Sequence, residues 1–216
     1  MDGRTLRAVP WLLAQTVRDL LARHHRVDAG ALAARLPSGV RPDVDADGSA
    51  WVSVLAMRMA GVHPRWLPPV PGLSGYPQVG VRAFVRGPGD EAGVVFLRLE
   101  APGRVVTAIG RRLLGLPYRR ATVDVGAGRV TSDGFAATWR AGDPVDDAFL
   151  GERDVLFSVV RGRLRRSEVR HEPAVFSEAE ATVTVESLLD ETGLRPTGPA
   201  VSRSCTRLAS HVWLPR

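Results

Sequence analysis

The chain has 216 residues, of which 44% are hydrophobic, and this length and composition favour one domain with a buried core. Its 29 basic and 23 acidic residues are interspersed, so the net charge of +6 does not indicate a specific nucleic-acid partner. The single cysteine, Cys205, excludes an intrachain disulfide, and no apolar run approaches the ~18 to 20 residues of a membrane span, so we expect a cytoplasmic protein without a membrane partner.

The N-terminal third begins with an ambiguous segment. Its apolar residues recur at helical spacing over residues 12–24, which favours a helix, whereas a resemblance described below favours a strand. Asp28 is a good N-cap for a short helix over residues 29–36, which Pro37 ends. The turn signal Asp47-Gly48 then leads into a strand over residues 51–59, and a Pro-rich loop follows.

Residues 79–86 and 93–100 are predicted to form a β-hairpin. One face is apolar, with Val79, Val81, Ala83 and Val85 matched by Val95, Leu97 and Leu99. The other face is mixed and carries Gln78, Arg82, Phe84, Phe96, Arg98 and Glu100. Arg82 would then lie near Glu100 across the ladder. If this face lines a cavity, Arg82 can bind a carboxylate or polarise a carbonyl; if it is solvated, these residues are an ordinary cross-strand charge cluster.

The remaining elements are short. The pattern over residues 104–114 predicts an amphipathic helix whose apolar side holds Val105, Val106, Ile109 and Leu113, closed by Gly115. Five strands are predicted at residues 121–125, 129–132, 135–140, 155–160 and 163–170, with a last one near His211. Many strands with few helices predict an α+β, mainly β fold, a β-rich barrel or cone in a single domain over residues 1–216.

Residues 110–121 resemble the segment that carries the adjacent catalytic lysines of acetoacetate decarboxylases. The matching positions are Gly110, Arg111, Gly115, Pro117 and Ala121. Tyr118 and Arg119 stand where the family has its two lysines. The chain contains no lysine at all, and a guanidinium cannot lose its proton to form a Schiff base. The resemblance therefore implies the fold and a pocket, and the residues exclude the best-known reaction of the superfamily.

The order of further motifs resembles the YqjF-like domain of unknown function, which belongs to the acetoacetate decarboxylase-like superfamily. The similar pieces are residues 20–51, with His24 at the family's histidine, Phe149-Leu150-Gly-Glu152-Arg153, and Val169-Arg170-His171. The resemblance covers about residues 15–214 and implies a β-rich cone around a small apolar pocket. Gln78 stands on the strand where the decarboxylases carry an active-site glutamate, so this titratable group is also missing.

The resemblance places the candidate site at this pocket. Tyr118, at the nucleophile position, is the candidate catalytic group, acting as a general acid or as a hydrogen-bond donor to a ligand carbonyl. The ligand-binding candidates are Arg82, Gln78, Phe84, Phe96, Arg98, Glu100, Arg111 and Arg119. The alternative for Tyr118 is a ring packed on the core with its hydroxyl at the surface. Because the five histidines lack metal-ligand spacing, we expect no metal and no cofactor.

Three functions follow as hypotheses. The first is a protein that binds a small apolar carbonyl or carboxylate compound, with or without non-covalent acid–base chemistry. The second is a non-catalytic ligand-binding or accessory module. The third is a basic protein with weak, unspecific affinity for nucleic acid. The identity of the ligand and self-association into a homo-oligomer stay open.

Overall fold

The structure, a computed structural model, describes residues 11–146, 153–173 and 175–213. Strands dominate it, which confirms the mainly β prediction. They are β1 (Leu13–Val27), β2 (Arg41–Pro42), β3 (Ala50–Pro64), β4 (Tyr76–Arg86), β5 (Ala92–Ala101), β6 (Tyr118–Arg120), β7 (Val123–Gly126), β8 (Arg129–Ser132), β9 (Phe135–Val145), β10 (Val155–Val160), β11 (Arg163–His171), β12 (Phe176–Glu186) and β13 (Val201–Val212). The described α-helices are α1 (Ala29–Ala33) and α2 (Arg104–Leu114), with a 3-10 turn at Asp190–Thr192.

Seven of the strands form a closed ring of hydrogen-bonded neighbours. The order is β1, β3, β4, β5, β10, β11 and β13, and β13 pairs again with β1 along most of its length. The pairs are antiparallel except β5 with β10. A second layer of β12, β9, β8 and β7 continues from β13. The ring therefore has an inner face and an outer face, and the second layer covers part of the outer one.

The main hydrophobic core lies between the outer face of the ring and the second layer. Val54 and Val81 from the ring meet Phe135 and Trp139 of β9 in this cluster, together with Leu188. The inner face carries smaller apolar clusters, and buried polar groups lie among them. Because stability needs chiefly the outer core, the inner face is free to carry polar residues that packing does not require.

The ambiguous N-terminal segment is strand β1, not a helix. Its pairing with β3 shifts register between Arg18 and Leu21, and Asp19 there adopts a positive φ of 53°. Arg58 of β3 donates two hydrogen bonds to the Asp19 carboxylate, at 3.1 and 2.8 Å, and so holds the bulge. A bulge interrupts the strict alternation of a strand, which is why the apolar residues imitate helical spacing.

A second bulge corrects the predicted faces of the hairpin. Val81 pairs with Arg98 and Arg82 pairs with Phe96, so Leu97 is the extra residue on β5. Beyond it, Arg98 and Glu100 lie on the outer face and Leu99 on the inner one. The predicted pairing of Arg82 with Glu100 is therefore wrong: Glu100 accepts a 2.8 Å hydrogen bond from Nε of Arg98.

Helix α2 has the predicted bounds but not the predicted orientation. Its buried residues are Thr107 and Gly110, whereas Val105, Ile109 and Leu113 are exposed. Gly115 ends the helix in the left-handed conformation, with φ of 63°, and a Cβ at this position would overlap the Val159 carbonyl. The helix thus packs closely on β10 through its small residues.

The other local predictions differ in detail. Asp28 Oδ1 accepts a 2.7 Å bond from the Ala31 amide, which confirms the N-cap, although α1 ends earlier than predicted. Strand β12 was not predicted. Its residues that face the main core include Ala179 and Ala181, which are small and give only a weak strand pattern. Of the C-terminal family motif, residues 149–152 lie outside the described residues.

Candidate functional site

Polar side chains of three neighbouring strands meet on the inner face of the ring. His24 of β1 pairs in register with Ser53 of β3, and Ser53 pairs with Arg82 of β4. Directly paired residues point to the same face of a sheet. His24 and Ser53 are almost completely buried, with 1% and 0% of their surface exposed. Strand pairing therefore builds a compact polar cluster inside the ring.

Arg82 carries a charge in this cluster without a counter-ion. Within the described residues it forms no ion pair, and its Nε is buried without a hydrogen-bond partner. Its Cζ lies 5.2 Å from the centre of the Phe84 ring, a cation–π distance. Burial, together with the charge of Arg153, lowers the pKa of Arg82 to about 10. Arg82 is still a cation at neutral pH, so it needs an anion.

Arg153 brings a second guanidinium to the same aromatic ring. Its Cζ lies 5.3 Å from the centre of the Phe84 ring. Asp43 binds Nη1 of Arg153 through Oδ2 at 2.7 Å and Nε of Arg86 through Oδ1 at 2.8 Å. One carboxylate therefore serves two arginines, and none of the described carboxylates pairs with the third cation, Arg82.

His24 is held as a neutral imidazole next to Arg82. Its Nδ1 and the Ser53 hydroxyl are 2.8 Å apart, and its ring centre lies 6.0 Å from that of Phe84. Burial, followed by the charges of Arg82 and Arg203, holds the pKa of His24 well below its usual range. A neutral imidazole beside an unpaired guanidinium donates or accepts a hydrogen bond without adding charge.

The two tyrosines of the chain form a second polar group on the same face of β4. Tyr118 donates a 2.6 Å hydrogen bond to Oε1 of Gln78, and Tyr76 packs beside Tyr118. Burial, and next the neighbouring Tyr76, raise the pKa of Tyr118 well above its usual range.

Gly110 explains how Tyr118 reaches this position. A Cβ at Gly110 would come within 2.5 Å of Cδ2 of the Tyr118 ring, so the ring packs against α2 where a side chain is missing. Tyr118 is 7% exposed and packs in a cluster with Leu99 and Leu116. The surface alternative for its hydroxyl is therefore wrong.

Arg111 and Arg119 lie outside the ring. With Pro117, Tyr118 and Arg120 they line an open surface groove, and their side chains are exposed. Arg82 is not among the residues that line this groove. Tyr118 thus forms a wall between the surface groove and the Gln78 side of the inner face.

The structure therefore divides the predicted site residues into three groups. Gln78 and Tyr118 are together at one end of β4, and Arg82 and Phe84 are together four residues further on. Phe96 pairs with Arg82 in register and packs towards the Tyr118 cluster, so it lies between the two groups. The remaining four, Arg98, Glu100, Arg111 and Arg119, are on the outer face or at the surface. That Tyr118 and Arg82 contact one ligand stays a prediction.

Sequence reasoning did not find His24, Ser53, Arg153 or Arg203 as site residues. The signal for His24 was its alternation with Ala22 on β1, which the unresolved choice between helix and strand concealed. Arg153 and Arg203 come from distant parts of the chain, and only the closure of the ring brings them to this face. No cluster of three potential metal ligands occurs in residues 11–146, 153–173 and 175–213.

Comparison with known protein families gives a match over nearly the whole chain. The model of the family DUF2071, described as an uncharacterised conserved protein, matches residues 14–212. The chain belongs to this family. The uncharacterised protein YqjF of Bacillus subtilis (strain 168) is 29% identical over an alignment 203 residues long, and this alignment covers 85% of this chain and 83% of YqjF. The predicted resemblance to YqjF-like domains is thus confirmed.

Solved structures share the fold. The enduracididine biosynthesis enzyme MppR, complexed with the condensation product of pyruvate and imidazole 4-carboxaldehyde, has a TM-score of 0.69 at 15% identity, covering 99% of this chain and 92% of MppR. Acetoacetate decarboxylase of Legionella pneumophila subsp. pneumophila str. Philadelphia 1 has a TM-score of 0.68 at 17% identity, with the same shares of each chain covered. At such identities the likeness shows an acetoacetate decarboxylase-like fold and nothing about activity.

Proposed function

We propose that this protein binds a small, largely apolar carboxylate or carbonyl compound on the inner face of the strand ring, with Arg82 as its anion anchor. The observation that carries the proposal is that the buried guanidinium of Arg82 forms no ion pair with any residue that the structure describes. A buried cation without a partner costs several kcal/mol, and such a group persists where a ligand completes it. A carboxylate is the natural complement, because its two oxygens match the fork of a guanidinium.

The surroundings of Arg82 favour a ligand with an apolar body. Phe84 and Phe96 flank it on the inner face, and Val94 packs with Phe84. His24 supplies a neutral hydrogen-bonding group nearby, so the ligand can carry a second oxygen, such as a carbonyl. MppR, a relative in fold, has been solved in complex with pyruvate, which is a compound of this chemical class.

Tyr118 acts in this proposal as a hydrogen-bond donor rather than as a base. A raised pKa keeps its proton in place at neutral pH, and efficient general acids and bases have a pKa near the working pH. Its hydroxyl is also engaged by Gln78. This observation favours the second candidate, a binding module without turnover, over an enzyme that transfers a proton through Tyr118.

Imine formation is excluded from the proposal because the chain offers no side-chain amine. Incubation with acetoacetate and borohydride should leave no adduct at any internal residue in peptide mass spectrometry. An adduct beyond Met1 would contradict the absence of covalent chemistry, and it would leave the anion site of Arg82 untouched.

The anion site is tested by titration calorimetry with acetate, pyruvate, acetoacetate and 4-methyl-2-oxopentanoate, each against its methyl ester. We expect the acids to bind more tightly than the esters, and R82M to lose at least about tenfold in affinity for the acids only. R129Q, which changes an exposed arginine on β8, is the matched control and should bind as the unchanged protein does. Equal affinity of R82M, or no binding of any acid, would disprove the site.

A further inference from the structure

The surplus positive charge of the chain is concentrated in one segment. Residues 101–123 contain five arginines and no acidic residue, whereas the rest of the chain holds 24 arginines against 23 acidic residues. This segment is α2, β6 and their flanks. Its arginines are Arg104, Arg111, Arg112, Arg119 and Arg120, all exposed and without an ion pair in the described part of the chain.

An aliphatic stripe runs through this basic segment. Val105, Ile109 and Leu113 follow one another at four-residue spacing on α2, so they form one line along the helix. They are 49%, 49% and 67% exposed. The helix buries its small residues Thr107 and Gly110 instead. Three neighbouring aliphatic side chains facing water on a helix of eleven residues mark an interaction surface.

The turn between β10 and β11 extends the same surface. Gly115, at the end of α2, packs against the backbone of Val159, which is itself 40% exposed. Arg161 and Arg163 follow in this turn and are exposed, and residues 155–167 contain no acidic residue. We name the combined area the α2 surface: α2, β6 and the turn of residues 159–163.

We propose that the α2 surface docks reversibly on anionic lipid bilayers. Guanidinium groups form bidentate hydrogen bonds with lipid phosphates. Aliphatic side chains between them insert at the boundary between the headgroups and the acyl chains. The arrangement is typical of an interfacial helix, with an apolar line beside a basic face. No helix among the described residues is long and apolar enough to cross a membrane, and docking in the interface needs no such span.

Other polyanions fit the α2 surface less well. Nucleic acid uses basic groups with aromatic side chains for stacking, and this surface has aliphatic side chains at its centre. An acidic protein would need a surface of complementary shape, whereas mobile lipid headgroups adapt to the exposed surface that they meet. Of these partners, only an anionic lipid interface offers phosphates for the arginines and an apolar layer for the aliphatic stripe without requiring a complementary protein shape.

Vesicle flotation tests the proposal with the full chain. The probes are phosphatidylcholine vesicles with and without ~30% phosphatidylglycerol. We expect binding only to the anionic vesicles, and a loss of at least about tenfold between ~50 and ~300 mM NaCl, because salt screens exposed charges.

Two double variants separate the charges from the stripe, and circular dichroism verifies their folding. R111Q/R112Q should bind anionic vesicles about tenfold or more weakly, with a flatter salt dependence. I109S/L113S should bind about tenfold more weakly with the salt dependence unchanged. R129Q and V175S, an exposed arginine and an exposed valine elsewhere, are the matched controls and should bind like the unchanged protein.

Three outcomes would overturn the proposal. The first is equal flotation with neutral and anionic vesicles, or none with either. The second is unchanged vesicle binding of I109S/L113S together with equally tight binding of duplex DNA, which would make the surface a general polyanion site. The third is a stable oligomer in light scattering that L113S dissociates, which would assign the stripe to contact between copies of the chain.

Discussion

Arg82 illustrates at the scale of one residue how a site can cost stability. Replacing it with Met keeps most of its volume and removes an unpaired buried charge. We expect R82M to be more stable by about 1 to 3 kcal/mol in urea unfolding, although it loses the anion site. R86M is the control on the same strand, and it should lose about 1 kcal/mol because Arg86 is paired with Asp43. A destabilised R82M would mean that Arg82 is satisfied in the folded protein.

The two tyrosines allow a direct measurement of their surroundings, since Tyr76 and Tyr118 are the only ones in the chain. Burial raises the pKa of both above the usual value of 10.0. The folded state therefore favours the protonated phenols, and the stability they contribute is present below pH ~10 and is lost as pH rises through the raised pKa values.

Ultraviolet absorbance of tyrosinate measures this effect. In the folded protein we expect little tyrosinate at pH ~10, whereas both tyrosines should ionise near that pH in urea. Y118F should leave a single transition, and it should raise the pKa of Tyr76 further, because the interaction with the Tyr118 hydroxyl lowers that pKa. If either tyrosine ionised near pH ~10 in the folded protein, its hydroxyl would be exposed to water rather than buried.

At the scale of an element, Gly115 determines how α2 is seated. A side chain at position 115 is disfavoured for two reasons. The backbone has a positive φ, and an added Cβ would overlap the Val159 carbonyl. Gly162 has a positive φ as well, but an added Cβ there meets nothing within 4 Å. We expect G162A to cost about 1 kcal/mol and G115A about 3 kcal/mol or more in urea unfolding. Equal costs would show that backbone conformation alone requires the glycine at position 115.

Local patterns predicted most elements, and bulges account for the main errors. The bounds of α2 and of the hairpin were predictable because turn and cap residues mark them. The extra residue Leu97 was not, since nothing in the run from Val94 to Glu100 distinguishes a bulged strand from a regular one. A one-residue shift moves every later side chain to the other face, so Arg98 and Glu100 were assigned to the wrong side.

The candidate site was predictable only in part for the same reason. Gln78, Arg82 and Phe84 all lie on β4, whereas the extra residue of the bulge lies on β5. Alternation along β4 therefore places these three side chains correctly. Tyr118 was found through the family resemblance and not through its local pattern. His24 and Ser53 required the pairing of β1 with β3, which depends on long-range contacts that a single sequence does not encode locally.

At the scale of the whole molecule, two differently composed spaces share one sheet. The outer core, with Phe135 and Trp139, is apolar throughout and holds the ring and the second layer together. The inner face combines aromatic rings with cations, and no carboxylate of residues 11–146, 153–173 and 175–213 pairs with Arg82. The division separates the core that holds the fold together from the face that carries the polar groups, and such a separation lets related folds carry different chemistry on one scaffold.

In the mildly acidic range, the dependence of the stability of the whole molecule on pH follows from His24. Its pKa is lowered well below 6.5 by burial and by nearby arginines. The unfolded state therefore binds more protons, and stability should fall as the pH decreases from ~6.5 towards the lowered pKa. H24N should remove this slope between pH ~7.5 and ~5.5 in urea unfolding, whereas H63N, at a partly exposed histidine away from Arg82, should keep it. An anion at Arg82 offsets one of the charges that lower the pKa of His24, so a bound carboxylate should reduce the slope in the unchanged protein and have no such effect in R82M. If the carboxylate changes the slope in neither the unchanged protein nor R82M, His24 does not sense an anion at Arg82.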